Sequence, residues 1–420
     1  VEVPSTIAGT MGGESSARAG RVLCLFLEAP IGDATGAVRT RRLARYVSEL
    51  GETTAAVIRS LDPEHAAMLR AELGIPVVGL DVPRHGRLRG VLRSLGRPWR
   101  SWPPSRTDTA TARQRVEELI GDVDPDLVWC AGAESFLAVP KRLRSRAVVD
   151  FMDLPSRNRR ELARVALHRV GRRLTHEGGV DASVLGLLRE VQGGFSSRLV
   201  ERHVRRRAAA VTVASPEEAR EGEHCVRTGV DDPGLVTLHG AQYPVPQFVF
   251  PGSFLYPPHQ DAAEWFALYV LPPLRRLLPS SRVVFAGDCP SWMPAFGQLH
   301  DIEVTGRVDM STVIDAHSVV IAPIRAGSGT VIEVVDAWAR GVPVVATSRA
   351  VEGLQPTDGV DVLVADDPAE FAARCSMAAR YPELRATLAG NGRARYEAEF
   401  TWPRIGADLV TWLRGLLALR

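Results

Sequence analysis

Two doubly wound, Rossmann-like α/β domains in tandem are the architecture this sequence predicts, and three observations predict it. Short apolar runs alternate with helix-like segments from residue 21 onward, as when buried parallel strands are joined by crossover helices. The alternation breaks once, over a stretch rich in Asp, Pro and Gly at 216–246, and then resumes. The resumed half holds a complete strand–turn–helix–strand unit between Ser318 and Ala346.

In the first half, Arg21–Leu27 is a largely apolar run and reads as the opening strand. The loop Ala29–Gly36 leads into Arg39–Leu50, where Leu43, Tyr46, Val47 and Leu50 share one helical face and Gly51 ends the helix. Further strands are expected at Thr54–Ile58, Pro76–Leu80, Leu127–Cys130 and Ala147–Phe151, with Val211–Ser215 the last of this domain. Residues 98–110, proline-rich and without hydrophobic period, read as a loop.

In the second half, Ser318–Pro323 is a strand that meets a Gly-Ser-Gly turn at Gly327–Gly329. A helix follows, with Val331, Val334, Val335 and Trp338 at helical spacing; it stops at Gly341 before a strand at Val342–Ala346. Glycines at such a turn let backbone N–H groups approach an anion at the helix N-terminus. The chain closes on an amphipathic helix over Trp402–Leu419.

Composition is that of an ordinary globular protein: 420 residues, 45% apolar and 24% charged, enough for two or three domains with substantial cores. A net charge of +2 is too small to argue for nucleic acid. Arginine carries the positive charge, since Lys141 is the single lysine. The five cysteines are scattered without metal-ligand spacing, which suits a reducing compartment. No run approaches the roughly 18 apolar residues of a membrane-spanning helix. Residues 1–19 have no basic segment followed by an apolar one and read as a disordered tail.

Several segments in the second half recur in a consistent order: Val249–Ser253 with Tyr256-Pro257-Pro258 and Asp261-Ala262; Val283–Gly287; Val304–Val308; Ala322–Thr330; Asp336–Ala346; Glu352-Gly353-Leu354; and Phe400-Thr401-Trp402. This order resembles the donor domain of GT-B glycosyltransferases, specifically the retaining family 4. The resemblance implies a hexosyltransferase-type reaction that moves a sugar from a nucleotide diphosphate-sugar to a glycan, lipid-linked or small-molecule acceptor in cell-surface glycan or secondary-metabolite biosynthesis. It implies no cofactor and no metal site, although a divalent ion beside the diphosphate is compatible with it. It also implies that the terminal helix crosses back to the first domain. The expected layout is a tail (1–19), an acceptor-side domain (20–215), a hinge (216–246), a nucleotide-sugar domain (247–402) and the crossing helix (403–420).

A sugar nucleotide needs backbone donors and a cation for its diphosphate, and a carboxylate for its ribose. Arg325, just before the glycine turn, is the candidate cation, with Gly327, Ser328, Gly329 and Thr330 supplying donors. Gly252 stands at the opening loop, and Gly306, Arg307 and Val308 form the turn that touches the base in the family. Asp336 matches the family's ribose-binding glutamate. Glu333 stands where the family has a lysine, and Val331 where it often has arginine. Two carboxylates at i and i+3 beside a diphosphate repel it unless a cation intervenes. This departure opens a second reading, a degenerate partner subunit without catalysis.

On the acceptor side, Gly32–Arg39 resembles the family's "GDxGxxxR" segment, with Gly36 facing the diphosphate. Asp150 and Asp153 resemble a "D-x-x-D" segment, and Glu134 ends a strand where the family keeps a sugar-contacting histidine. His239 stands where the family has asparagine and reads as a structural residue. The basic segments Arg157–Arg173 and Arg198–Arg207, with interleaved apolar residues, could contact anionic lipid, making the expected location cytoplasmic and peripheral to the inner membrane face. A solvated helix face is the alternative for these segments.

Overall fold

In a computed structural model of the protein, the described residues are 20–83, 108–173, 184–236 and 246–419. The expected tail, residues 98–107 of the loop, and His239 lie outside them.

The first domain is a seven-stranded, all-parallel sheet ordered β3-β2-β1-β4-β5-β6-β7. Its strands are β1 (Gly20–Phe26), β2 (Gly51–Val57), β3 (Val77–Gly79), β4 (Leu127–Ala131), β5 (Ala147–Phe151), β6 (Ala210–Val213) and β7 (His224–Cys225). The second is a six-stranded parallel sheet ordered β10-β9-β8-β11-β12-β13. It comprises β8 (Gln247–Pro251), β9 (Arg282–Ala286), β10 (Glu303–Gly306), β11 (Ser318–Ala322), β12 (Val344–Ala346) and β13 (Leu363–Val364). Strand order reverses beside β1 and beside β8. At such switch points the connections leave to opposite faces and open a crevice at the carboxyl ends of the strands.

The apolar runs read from sequence become central strands because both their faces are covered: β5, β8 and β11 are buried at every position. One strand escapes that reading. His224–Cys225 lies inside the stretch expected to be hinge, yet it pairs with Thr212–Val213 as the seventh strand. A two-residue edge strand set among charged residues has no periodicity to detect.

The closing helix, Trp402–Ala418, seats Trp402, Ile405, Leu409 and Leu413 on the first domain's core beside Leu43 and Val47. Gly406 makes this approach possible, since a Cβ there would lie 2.3 Å from the Tyr46 ring. The chain thus crosses back, and the two sheets are tied at the hinge side. Among the described residues no helix is long and apolar enough to cross a membrane.

Candidate active site in the interdomain cleft

A cavity of about 650 Å³ lies between the two sheets. The second domain contributes Gly252, Arg307, Val308, Gly327–Glu333, Arg349 and Glu352; the first contributes Asp33–Thr35, Asp153 and Arg157.

Its floor is the glycine turn. Gly327 and Gly329 have φ of +132° and +81°, conformations that L side chains rarely adopt. They turn the chain from β11 into the helix Ile332–Ala339, whose N-cap residue Val331 makes no side-chain cap. The first amides of that helix are therefore open to a ligand. Ser328 Oγ, on the same lining, is buried without a hydrogen-bond partner.

Behind the opposite wall a buried ion pair joins two segments noted in the sequence. Arg39 Nη2 donates to Asp150 Oδ1 at 2.8 Å and Nε to Oδ2 at 3.2 Å, with both side chains buried. Thr212 Oγ1 also donates to Asp150, and Arg39 Nη1 reaches the Arg227 carbonyl and Thr228 Oγ1. This network fixes the end of β5, and Asp153 emerges just beyond it. A Cβ built on Gly329 would sit 1.8 Å from Asp153 Oδ1, so the two domains touch at this point.

Asp153 shares the contact with Glu218. Burial pushes the Asp153 carboxyl up to about 6, against the lowering influence of Arg39. Glu218 is pushed up to about 7, by burial first and the Asp153 charge second, while Arg157 and the Leu154 and Gly329 amides oppose the rise. Both values exceed those of an unfolded carboxylate, so the folded chain binds more protons than the unfolded one between about pH 4 and 7. Stability contributed by these groups is present below that window and falls as pH rises through it. Glu218→Gln is expected to remove much of this slope. Urea unfolding of both forms at pH 5 and pH 8 checks it, and parallel pH profiles would refute the assignment.

Among the described residues, three guanidinium groups border the cavity, and each has a carboxylate. Arg157 of the first domain and Arg349 of the second both donate to Glu352, so this carboxylate ties the domains together. Arg307 pairs with Asp33 across the mouth at 2.7 Å, both residues being exposed. Arg349 also donates to the Gly327 carbonyl, holding the glycine turn.

Of the residues singled out in the sequence, Gly252, Arg307, Val308, Gly327, Ser328, Gly329, Thr330, Glu333 and Asp153 converge on the cavity. Gly306 lies beside it and accepts the Gly287 N–H. Arg325 corrects an expectation: its guanidinium turns away to grip the buried Asp261 carboxylate at 2.7 Å and 2.9 Å and lies over the Trp265 ring. A buried carboxylate is the stronger claim on a nearby cation than open solvent in a cleft. Asp336 is likewise held by Arg340, one turn on at 2.7 Å, and does not border the cavity. Gly36 packs against Met152 at the start of its helix. Glu134 borders a separate small cavity with Leu27 and Ile58.

Sequence reasoning missed His259. It follows the Tyr256-Pro257-Pro258 segment, in the helix Pro257–Trp265, and borders the cavity with Nε2 3.7 Å from Glu333 Oε1. Its Nδ1 is buried without a partner. A histidine three residues after a recognised tyrosine was the available signal. Arg349, three residues before Glu352, was overlooked in the same way. Among the described residues no group of three or more His, Cys, Asp or Glu is arranged to hold a metal ion.

Comparison with known proteins agrees with this geometry. Residues 245–381 match the family described as Glycosyl transferases group 1. No curated protein matches the chain in sequence. Among solved structures, the chain is similar to sucrose-phosphate synthase from Thermosynechococcus elongatus, at TM-score 0.64 and 15% identity over 95% of this chain and 99% of that one. HepE of Anabaena in complex with UDP-glucose is similar at TM-score 0.59 and 15% identity, covering 94% and 100%. A glycosyltransferase from Rickettsia africae is similar at TM-score 0.60 and 11% identity, covering 95% and 99%. The fold is GT-B.

Proposed function

We propose that this GT-B chain is a retaining glycosyltransferase that moves a sugar from a nucleotide diphosphate-sugar to an acceptor hydroxyl. The observation that carries the reading is the open helix N-terminus behind Gly327–Thr330, with the unpartnered Ser328 hydroxyl, on the lining of the interdomain cavity. The similarity to HepE, whose structure holds UDP-glucose, supports the donor class.

The donor diphosphate lies at the open N-terminus of the helix that begins at Ile332, beside the glycine turn, with Arg349 and Arg157 on the same lining. The bond between the sugar and its phosphate oxygen breaks as the acceptor oxygen bonds the same carbon from the same face. The acceptor proton passes to the departing diphosphate. Leaving-group stabilisation by preorganised donors is the main source of acceleration, with one such donor contributing about 3 kcal/mol. Asp153, on the acceptor side, orients the attacking hydroxyl. Acceptors in this reading are glycans, lipid-linked saccharides or small molecules.

Glu333 faces the same cavity with His259 Nε2 3.7 Å away, and a carboxylate there opposes the build-up of negative charge on the departing diphosphate. Glu333→Gln is therefore expected to leave turnover within about threefold of native, or to raise it. Collapse of a robust native activity in this variant would overturn the arrangement and make Glu333 a required group.

A second reading, a non-catalytic partner that keeps nucleotide affinity, is favoured by one specific observation. Glu333 replaces a cation, and each of the three arginines on the lining already has a carboxylate partner. A thermal-shift panel of UDP-, GDP- and dTDP-sugars, followed by donor hydrolysis and transfer assays, separates the two. Binding with turnover supports the enzyme. Binding without turnover, in native and Glu333→Lys alike, supports the partner.

A further inference from the structure

The first domain carries another cavity, of about 440 Å³, lined by Lys141, Arg144, Ser145, His203, Arg206 and Arg207. It lies at the opposite pole from the cleft. Residues 141–146 precede β5 and 203–207 precede β6, whereas the cleft opens at the far ends of those strands, roughly 17 Å away for a five-residue strand.

The charge in this cavity is unlike that of the interdomain cleft. The chain as a whole balances 51 Lys and Arg against 49 Asp and Glu. In the cleft each lining arginine has a carboxylate. Here, among the described residues, four cations and a histidine converge and no carboxylate lines the cavity.

Arg144 makes the point physically. It is 7% exposed, and its guanidinium lies 5.2 Å from the Phe136 ring centre. Its Nε donates to the Val139 carbonyl at 3.2 Å and its Nη1 to His203 Nε2 at 3.0 Å. A histidine that accepts there is neutral, so this bond brings no opposite charge. Among the described residues no acid pairs with Arg144. Burial, with Arg113 and Arg207 nearby, pushes its pKa down. A buried cation with like-charged neighbours and no counter-charge is costly, and an anion in the cavity removes that cost. The guanidinium fork matches phosphate oxygens in shape as well as charge.

We propose that the Lys141–Arg144–Arg206–Arg207 pocket binds a phosphate group, separately from the donor site. The group comes either from a soluble phosphorylated molecule or from an anionic lipid headgroup, and both sources present the same oxygens.

The full chain is titrated with inorganic phosphate against sodium chloride at matched ionic strength, and with vesicles of phosphatidylglycerol or phosphatidylcholine. The test variant is Lys141→Ala/Arg206→Ala, in which both replaced side chains are exposed. Arg276→Ala/Arg404→Ala, also exposed, controls for lost charge. Native protein and control are expected to bind phosphate with a Kd on the order of 0.1–1 mM. The test variant is expected to bind about tenfold more weakly, with its response to nucleotide-sugars unchanged. Selective loss of phosphatidylglycerol binding in the same variant identifies the lipid source; phosphate binding without vesicle binding identifies the soluble one. Phosphate acting no differently from chloride, or equally on all three proteins, overturns the proposal and leaves a solvated basic face.

Discussion

Asp150→Ala is expected to cost about 3–5 kcal/mol of folding stability, the range for removing one partner of a buried ion pair. The substitution leaves Arg39, 1% exposed, with its charge inside the first domain and without its carboxylate. Thr212 Oγ1 loses its acceptor at the same time. The penalty comes from the stranded cation more than from the lost attraction. A double replacement, Arg39→Met with Asp150→Leu, is accordingly expected to be milder than Asp150→Ala alone. Urea unfolding of the three proteins decides the matter, and a loss below about 1 kcal/mol in Asp150→Ala would show that the pair is dispensable.

Gly329→Ala is expected to reduce sugar transfer by about a hundredfold or more, because reacting groups displaced by about 1 Å lose that much. Two independent effects act there. The backbone φ of +81° disfavours any side chain, and the added Cβ would meet Asp153 Oδ1 at 1.8 Å. The collision falls between the glycine turn of the second domain and Asp153 of the first, so the domains part or Asp153 leaves its place. Gly390→Ala, at an exposed helix position with nothing near its Cβ, is the control and should leave transfer unchanged. Single-turnover transfer with the best-binding donor gives the measurement. A Gly329→Ala protein with native rates would mean that this contact plays no part in the proposed reaction.

Much of this site was legible in the chain because it rests on local backbone chemistry. Gly327 and Gly329 stand where the turn demands positive φ, and that demand is written in the residues themselves. The strands were legible for a related reason, since complete burial of β5, β8 and β11 requires uninterrupted apolar runs. Segment order carried the resemblance that the GT-B fold bears out. Even the closing helix announced its apolar face, though not the Tyr46 surface it covers.

What the sequence could not assign was the partner of each charge. Arg325 looks like a phosphate ligand by position, but Asp261, 64 residues earlier, holds it. Asp150 and Arg39, 111 residues apart, were read as parts of two separate segments and form one pair. Glu352 gathers arginines from both domains, and His259 reaches Glu333 from another helix. An ion pair depends on distance and on burial, and neither quantity has a period along the chain. Backbone conformation and apolar patterning are local properties, so the sequence by itself determined the strands, the glycine turn and the two-domain order. Charge pairing is a property of surfaces brought together by folding, so only the tertiary structure decided which cations remain available to a ligand.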